Sequence, residues 1–232
     1  MALLLSLETS TQYCSAALHD DGGLVASEVI ETPRSAASQL AVMVDEIFRT
    51  SNIKPGELAG VIVTSGPGSY TGLRIGVATA KGLCYALDIP LVSVNTLELI
   101  AFQFLEMLSG KKELGHNSLL CPMLDARRME VYCALMDQNL NYKEQVQAKV
   151  IDEESFKDIL EVNPVFFFGD GAGKCMEIIK HSNSHFFPGV APLASSLGTI
   201  GYRKWKEGVF EDLVLFEPFY LKDFLIKKPD LN

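Results

Sequence analysis

The feature that most constrains the fold of this chain is a pattern that occurs twice: an apolar strand, an acidic turn and a second apolar strand. Shifting the sequence by 117 positions aligns Leu7-Glu8 with Leu124-Asp125. The same shift places Ala17-Leu18 on Ala134-Leu135 without a gap. Self-similarity at a fixed spacing is typical of a duplicated structural unit. We therefore predict two halves of related architecture, each beginning with a β-hairpin whose turn carries a carboxylate.

After each hairpin, strands and helices alternate along the chain, which favours an α/β class with mixed sheets. A polar stretch from Ser109 to Ser118 interrupts the apolar pattern, so we predict a first lobe at residues 1–110 and a smaller second lobe at 111–232. A helix near residues 192–207 is a candidate to pack back on the first lobe. Two such lobes resemble the plan of the actin, hexokinase and Hsp70 superfamily (ASKHA, ribonuclease H-like), in which hairpin turns hold the phosphates of ATP.

Composition restricts the partners and the location of the protein. The 232 residues carry a formal charge of −9 and give a pI near 5.0, which argues against a surface built to neutralise nucleic-acid phosphates. Any contact with RNA is therefore expected to be local or to be made by a partner. The sequence has no uncharged apolar run of about 18 residues, and its five cysteines form no C-x-x-C pair. We predict a cytoplasmic protein with buried, reduced thiols and no membrane association.

The segment Val63–Gly76, VTSGPGSYTGLRIG, has the composition of a phosphate-binding loop between a strand and a helix. Its glycines follow G-x-G-x-x-x-G, one residue longer than the dinucleotide fingerprint, and no Walker A spacing fits. We therefore predict a tight strand-to-helix turn. In that turn Gly66 and Gly68 permit the backbone geometry, and Ser69 or Thr71 caps the helix.

A second glycine loop, GDGAGK at 169–174, follows an apolar strand and opens a helix, where unpaired backbone N–H groups favour an anion. It is one residue short of a Walker A motif, and Cys175 replaces the Ser or Thr that would contact magnesium. An ordinary tight turn is the alternative. If a cofactor binds, we expect ATP or ADP at a site between lobes or between subunits. The candidate nucleotide-binding residues are Glu8, Thr9, Ser10, Asp125, Gly169, Gly171 and Gly173.

The sequence offers no convincing catalytic set. It contains no G-x-S-x-G nucleophile elbow. His181 and His185 stand four residues apart without a third ligand nearby, so no metal site is predicted.

The predicted helix Gly72–Leu87 points to a different function, because it is apolar almost all round and must be covered on more than one side. Gly72, Gly76 and Ala80 recur every fourth residue and form a flat strip that another helix could approach closely. The predicted helix Ala36–Thr50 is also apolar on two faces. We predict a partner interface, with an internally covered helix pair as the alternative. Its residues are Leu40, Met43, Val44, Ile47, Gly72, Ile75, Gly76, Thr79, Ala80 and Leu83.

Four segments carry a resemblance to a known family. LLSLETSTQYCSAAL, TSGPGSYTGLRIGVATAKGLCYALDIPLVSVNTLELIA, PMLDARRMEVYCAL and EPFYL occur in this order over nearly the whole chain and are similar to the TsaB (YeaZ) family, which is related to the TsaD family. The resemblance implies two ASKHA lobes and a role in making N6-threonylcarbamoyladenosine (t6A) at position 37 of tRNA. It also implies that TsaD transfers the threonylcarbamoyl group, that TsaE is an ATPase, and that TsaB proteins are non-catalytic scaffolds. Such scaffolds are homodimers when alone, or join TsaD through helices of the first lobe.

Two alternatives stay open beside the scaffold. The wider family has been described as glycoproteases, but a peptidase needs a nucleophile or a metal cluster that the sequence does not offer. A small ATP-binding phosphotransferase of the ASKHA superfamily would use the cleft between the lobes, although neither glycine loop has the required spacing. Glu8 stands where relatives often have Asp, which weakens the argument for a preserved magnesium site. ATP binding and turnover by the isolated protein would distinguish an enzyme from a scaffold.

Overall fold

The first half of the chain forms a mixed sheet of five strands. The computed structural model describes residues 1–31, 36–110 and 114–221. The strands of this sheet are β1 Leu3–Glu8, β2 Tyr13–Asp20, β3 Gly23–Glu31, β4 Gly60–Gly66 and β5 Leu91–Asn95. Their order is β3-β2-β1-β4-β5, with β1 antiparallel to β2 and parallel to β4.

The second half repeats this arrangement. Its strands are β6 Leu119–Asp125, β7 Glu130–Met136, β8 Tyr142–Val150, β9 Val165–Gly169 and β10 Ser184–Pro188. Their order is β8-β7-β6-β9-β10, with β6 antiparallel to β7 and parallel to β9. The predicted α/β class with two related mixed sheets is therefore confirmed.

Six α-helices accompany the sheets in the described parts of the chain. They are α1 Ala36–Ser51, α2 Tyr70–Leu87, α3 Thr96–Leu108, α4 Lys157–Val162, α5 Ala172–Cys175 and α6 Ala194–Lys206. Of the two predicted caps for α2, Ser69 is the one used, since its hydroxyl accepts a hydrogen bond from the Gly72 N–H at 3.2 Å. No helix within the described residues is long and apolar enough to cross a membrane.

The helices form layers on both sides of the first sheet. Apolar side chains of α1 and α2 pack with odd-numbered residues of β1, such as Leu5 and Leu7, in one core. On the opposite face, Leu4 and Ile62 pack with side chains of α3 and α6. Helix α3 also packs on the second sheet, against Leu120 and other residues. The two sheets therefore share a central helical layer.

Helix α6 belongs to the second half of the sequence but packs on strands of the first sheet. The Ala194 N–H donates to Ser15 Oγ at 2.9 Å. His19 is fully buried, and its Nε2 lies 2.8 Å from the Ser195 carbonyl oxygen. Because that oxygen can only accept, the imidazole Nε2 carries the proton in this contact. Packing of α6 on the first sheet therefore connects the two lobes in addition to the covalent linkage between them. The boundary at residue 110 stays a prediction.

Candidate functional site

The first hairpin turn, between β1 and β2, is covered by the glycine loop that precedes α2. The Ser69 N–H donates to the Ser10 carbonyl oxygen at 2.6 Å. The Thr9 hydroxyl donates to the Gly72 carbonyl oxygen at 2.7 Å. Thr9 and Ser10 are 1% and 2% exposed. The loop therefore binds the turn of its own chain and removes it from solvent.

The glycines of this loop are required by how closely it approaches the turn. A Cβ atom at Gly68 would lie 2.4 Å from the Ser10 carbonyl oxygen, and one at Gly72 would lie 2.0 Å from the Thr9 carbonyl oxygen. At Gly76 the Cβ would lie 2.4 Å from Thr9 Oγ1. These distances are shorter than van der Waals contact, so a side chain at any of the three positions would displace the turn.

The strip of small residues on α2 therefore packs inside its own subunit. Gly72 and Gly76 contact Thr9, and Ala80 is fully buried. The sequence led us to expect a helix of another subunit at these positions. An interface at these positions stays a prediction, although the hairpin turn of the same chain occupies the space beside the strip. A partner could reach these residues only if the turn moved away.

Other predicted interface residues are also covered within the chain. Four side chains of α1 lie in the core of the first sheet and are at most 7% exposed: Leu40, Met43, Val44 and Ile47. Ile75, Thr79 and Leu83 of α2 are half-buried. The predicted set is thus mostly the inner face of the helix pair.

The outward face of the pair contains residues that the sequence reasoning did not select. Val42 on α1 is 62% exposed and Tyr85 on α2 is 83% exposed. Ala78, Gly82 and Ala86 recur every fourth residue on α2 and are also exposed. A Cβ atom at Gly82 would meet no described atom within 4 Å. The sequence pattern could have indicated this face, because these three residues form a second small-residue strip parallel to the first.

Glu8 is the buried carboxyl group of the first turn. Its Oε1 accepts hydrogen bonds from the Ser10 N–H, at 2.6 Å, and from the Ser10 hydroxyl. Within the described residues, Oε2 has no hydrogen-bond partner. Burial raises the pKa of Glu8 from its ordinary 4.5 to about 7, and the bonds to Ser10 offset part of this rise. A carboxyl group in this position stabilises the turn and does not face a solvent-filled cleft.

The second hairpin turn, between β6 and β7, is built differently. Asp125 is exposed and accepts hydrogen bonds from the Arg127 N–H at 2.7 Å and from Lys174 Nζ at 2.6 Å. Lys174 Nζ also donates to the carbonyl oxygens of Arg128 and Glu130, both at 2.7 Å. An ammonium group has three donors, so this network employs all of them. The lysine of the second glycine loop therefore fastens the turn and has no donor left for a phosphate.

The glycines of the second loop also contact backbone of their own lobe. A Cβ atom at Gly169 would lie 2.2 Å from the Met123 carbonyl oxygen, and one at Gly171 would lie 2.9 Å from the carbonyl carbon of Leu124. At Gly173 the nearest atom is a side-chain carbon at 3.7 Å, so this position is less restricted. In both lobes, glycine-rich backbone packs against the hairpin of the same lobe.

Known proteins resemble this chain in sequence and in fold. A family model described as TsaD, tRNA N6-adenosine threonylcarbamoyltransferase, matches residues 15–224. The tRNA threonylcarbamoyladenosine biosynthesis protein TsaB of Escherichia coli is 26% identical over 226 residues, covering 95% of this chain and 94% of that protein. The chain belongs to the TsaD family, in its TsaB (YeaZ) branch.

Further matches support the TsaB branch. TsaB of Bacillus subtilis is 29% identical over 184 residues, which cover 76% of this chain and 75% of that protein. The solved structure of YeaZ from Pseudomonas aeruginosa has a TM-score of 0.78 and 25% identity, covering 95% of this chain and all of that one. By contrast, the threonylcarbamoyltransferase of Syntrophotalea carbinolica is 36% identical over 112 residues, only 41% of this chain.

Two cavities of the TsaB-family chain lie away from both hairpin turns. One, of about 500 Å³, is lined by polar residues of the second lobe that include Asp137 and Lys143. The other, of about 480 Å³, lies between α2 and residues 216–220. Neither is lined by the predicted nucleotide-binding residues. Nucleotide contact at those residues stays a prediction.

The two histidines of the HSNSH segment serve the local fold in the TsaB-family chain. His181 Nδ1 accepts a hydrogen bond from the Asn183 N–H at 3.1 Å. The His185 ring packs on Phe166 with centroids 4.9 Å apart. Among the described residues, no three His, Cys, Asp or Glu side chains converge to hold a metal ion.

Proposed function

We propose that this TsaB-family chain is a non-catalytic scaffold in the synthesis of N6-threonylcarbamoyladenosine in tRNA, and that it binds a TsaD partner through the outward face of α1 and α2. The names of the TsaB relatives state the pathway. The observation that carries the scaffold role is the covering of the first hairpin turn. There Glu8 is fully buried, and the chain's own glycine loop packs against the adjoining Thr9 and Ser10, so the carboxyl group has no path to a substrate.

The outward helix face supports the binding role. Close approach of two helices requires small residues at the contact, and Ala78, Gly82 and Ala86 supply them on α2. Large exposed apolar side chains are enriched at protein interfaces, and Tyr85 and Val42 flank the strip at 83% and 62% exposure. A partner helix lying along Gly82 would cover both.

The remaining partners follow from this arrangement. In the absence of TsaD, the same face would join two copies of the chain as a homodimer. We propose that TsaE joins the complex and that tRNA is bound mainly by the partners, since the net charge of this chain is −9. A cytoplasmic location is proposed because the substrate of the pathway is tRNA.

The proposed interface is tested by Gly82→Arg. The new side chain would extend into open space, so it should leave the fold intact and weaken TsaD binding at least tenfold. Gly56→Arg is a matched control, because Gly56 is also open, with nothing described within 4 Å of its Cβ position. Co-purification with TsaD and a tRNA modification assay measure the effect. Wild-type binding by G82R would exclude this face.

The non-catalytic role is tested by calorimetric titration with ATP. The isolated protein should neither bind ATP tightly nor turn it over, and TsaD and TsaE should be required for the pathway reaction. ATP turnover by the isolated protein would favour the ASKHA phosphotransferase. Peptide cleavage by the isolated protein would favour the glycoprotease-like alternative.

A further inference from the structure

A groove beside the proposed interface is formed by a segment that the proposed function does not use. We name residues 209–221 the C-terminal strap; it follows α6 and contains the EPFYL motif. The strap runs along α2, and the cavity of about 480 Å³ lies between them. Arg74, Val77, Ala78 and Lys81 line it from α2, and Phe216, Glu217, Pro218 and Tyr220 line it from the strap.

The groove is already formed in the free chain, because the strap is fastened at several points. Lys81 Nζ donates to the carbonyl oxygens of Val214, at 3.2 Å, and Phe216, at 2.9 Å. Near the other end of the strap, the Phe219 N–H donates to the Ser65 carbonyl oxygen at 2.7 Å. A binding site that is ordered before its ligand arrives loses less conformational entropy on binding.

The charge of the groove is opposite to that of the protein. Arg74 and Lys81 face it with one acid, Glu217, in a chain whose net charge is −9. Within the described residues, neither cation makes an ion pair shorter than 4 Å. The Arg74 guanidinium lies 4.1 Å from the Tyr70 ring centroid, and its Nε donates to the Tyr220 hydroxyl at 3.3 Å. Held in this way, a guanidinium is positioned to bind a carboxylate with its remaining N–H groups.

The floor and the rim of the groove are apolar. Val77, Ala78 and Phe216 line it, and the adjacent strap residues Val214 and Leu215 are 84% and 75% exposed. Asp212 holds these two outward, because its Oδ1 accepts hydrogen bonds from the N–H groups of Val214, at 2.8 Å, and Leu215, at 3.0 Å. An apolar surface beside an arginine that makes no ion pair among the described residues fits a ligand that carries an apolar group next to a carboxylate.

We propose that this groove binds an acidic, apolar segment of the partner protein, with an Asp or Glu carboxylate on Arg74 and an apolar side chain against Val77, Ala78 and Phe216. The proposal rests on the proposed function, since Ala78 belongs both to the groove and to the outward strip of α2. A partner helix on that strip would bring its flanking residues to the strap. The complementary charge selects an acidic segment over a basic one.

The test compares three variants for binding of the TsaD protein from the same organism. Arg74→Gln removes the charge and should weaken binding at least tenfold while reducing its dependence on salt. Arg74→Lys keeps the charge but loses the planar fork, so its affinity should fall between those of R74Q and the wild type. Arg203→Gln, at an exposed arginine on α6, is the control and should bind like the wild type. Thermal unfolding of each variant checks that the strap remains in place.

The outcomes distinguish this proposal from the proposed function. If G82R loses TsaD binding but R74Q binds with wild-type affinity and salt dependence, the groove does not take an acidic segment and the helix face still does. If neither variant changes binding, both proposals fail. Equal losses in R74Q and R203Q would mean that overall charge, and not this groove, governs binding, and would also overturn the proposal.

Discussion

At the residue scale, the fold depends on a carboxyl group that is sheltered from water. Glu8 ends β1 and is fully buried, and one of its oxygens lacks a hydrogen-bond partner among the described residues. Burial raises its pKa to about 7, above the 4.5 expected in an unfolded chain. Between pH 4.5 and pH 7, Glu8 is therefore protonated in the folded state but ionised in the unfolded chain. The contribution of protonated Glu8 to the free energy of unfolding is fully present below pH 4.5 and is lost as the pH rises from there through 7.

Replacing Glu8 with Gln should remove that loss. A shift from 4.5 to about 7 corresponds to about 3 kcal/mol, so E8Q should be more stable than the wild type by about 3 kcal/mol at pH 8.5 and nearly equal to it at pH 4. The Gln oxygen can still accept both bonds from Ser10. Urea unfolding at a series of pH values measures the difference. Glu177→Gln, at an exposed site, should leave the pH profile unchanged; parallel profiles for E8Q and the wild type would contradict the buried-proton account.

Gly76 and Gly82 lie on the same helix, α2, and allow a matched pair of substitutions. Gly76→Ala should destabilise the protein by about 1–3 kcal/mol, because its Cβ would lie 2.4 Å from Thr9 Oγ1. Gly82→Ala should stabilise it by about 0.5–1 kcal/mol, since that position is open and alanine favours a helix. Chemical denaturation of both variants tests the orientation of α2. Effects of the same sign would mean that the inner and outer strips are assigned incorrectly.

These two glycines also show where prediction from sequence ended. Both small-residue strips of α2 have the same spacing, so periodicity could establish that the helix has flat faces but not which face turns inward. The inward face is determined by Thr9, which lies more than sixty residues earlier in the chain and donates a hydrogen bond to the Gly72 carbonyl oxygen. A contact between residues so far apart in the sequence cannot be predicted from the local spacing of small residues.

At the scale of elements, Lys174 fastens the turn between β6 and β7, together with the hydrogen bond from the Arg127 N–H to Asp125. Arg127 and Arg128 have positive φ values of 69° and 50°, a conformation that costs non-glycine residues about 1–2 kcal/mol each. Lys174 offsets this cost by binding the Arg128 and Glu130 carbonyl oxygens and the Asp125 carboxylate. The glycine loop thus supplies a lysine to the hairpin of the same lobe.

Lys174→Met should therefore loosen the turn. Hydrogen exchange at residues 126–130 is expected to accelerate about tenfold, with a loss of about 1–2 kcal/mol in the free energy of unfolding. Lys180→Met, at an exposed site, should change neither. If K174M instead weakened ATP binding while exchange in the turn stayed at the wild-type rate, the lysine would be a phosphate ligand, and the nucleotide prediction for this loop would gain support.

At the scale of the whole molecule, the repeat predicted the two sheets but not how the lobes depend on each other. The hairpins at Glu8 and Asp125 correctly indicated two related mixed sheets. The contribution of α6 to the first sheet lies outside the repeat, because it results from packing between lobes. The resemblance carried by EPFYL likewise named a family without indicating that Phe219 binds the backbone of Ser65 beside the first glycine loop.

This dependence predicts that the first lobe will not fold alone. In the whole chain, α6 shares with α3 the covering of Leu4 and Ile62, which are completely buried, and a chain ending at residue 110 would expose to water the part of this sheet face that α6 covers. Exposing apolar surface to water costs about 25 cal/mol per Å². This cost would cancel the few kcal/mol of free energy that stabilise a small domain.

The experiment expresses residues 1–110 alone and together with residues 111–232. The fragment alone should lack a cooperative unfolding transition, and the two fragments together should recover one, because α6 returns to the face that it covers in the intact chain. Gly201→Leu in the second fragment is the matched control for specific packing, since a Cβ atom there would lie 2.5 Å from a side-chain carbon of Ile62. Recovery should fail with G201L. A cooperative transition in residues 1–110 alone would instead show that the first lobe is an independent domain with α6 as an accessory.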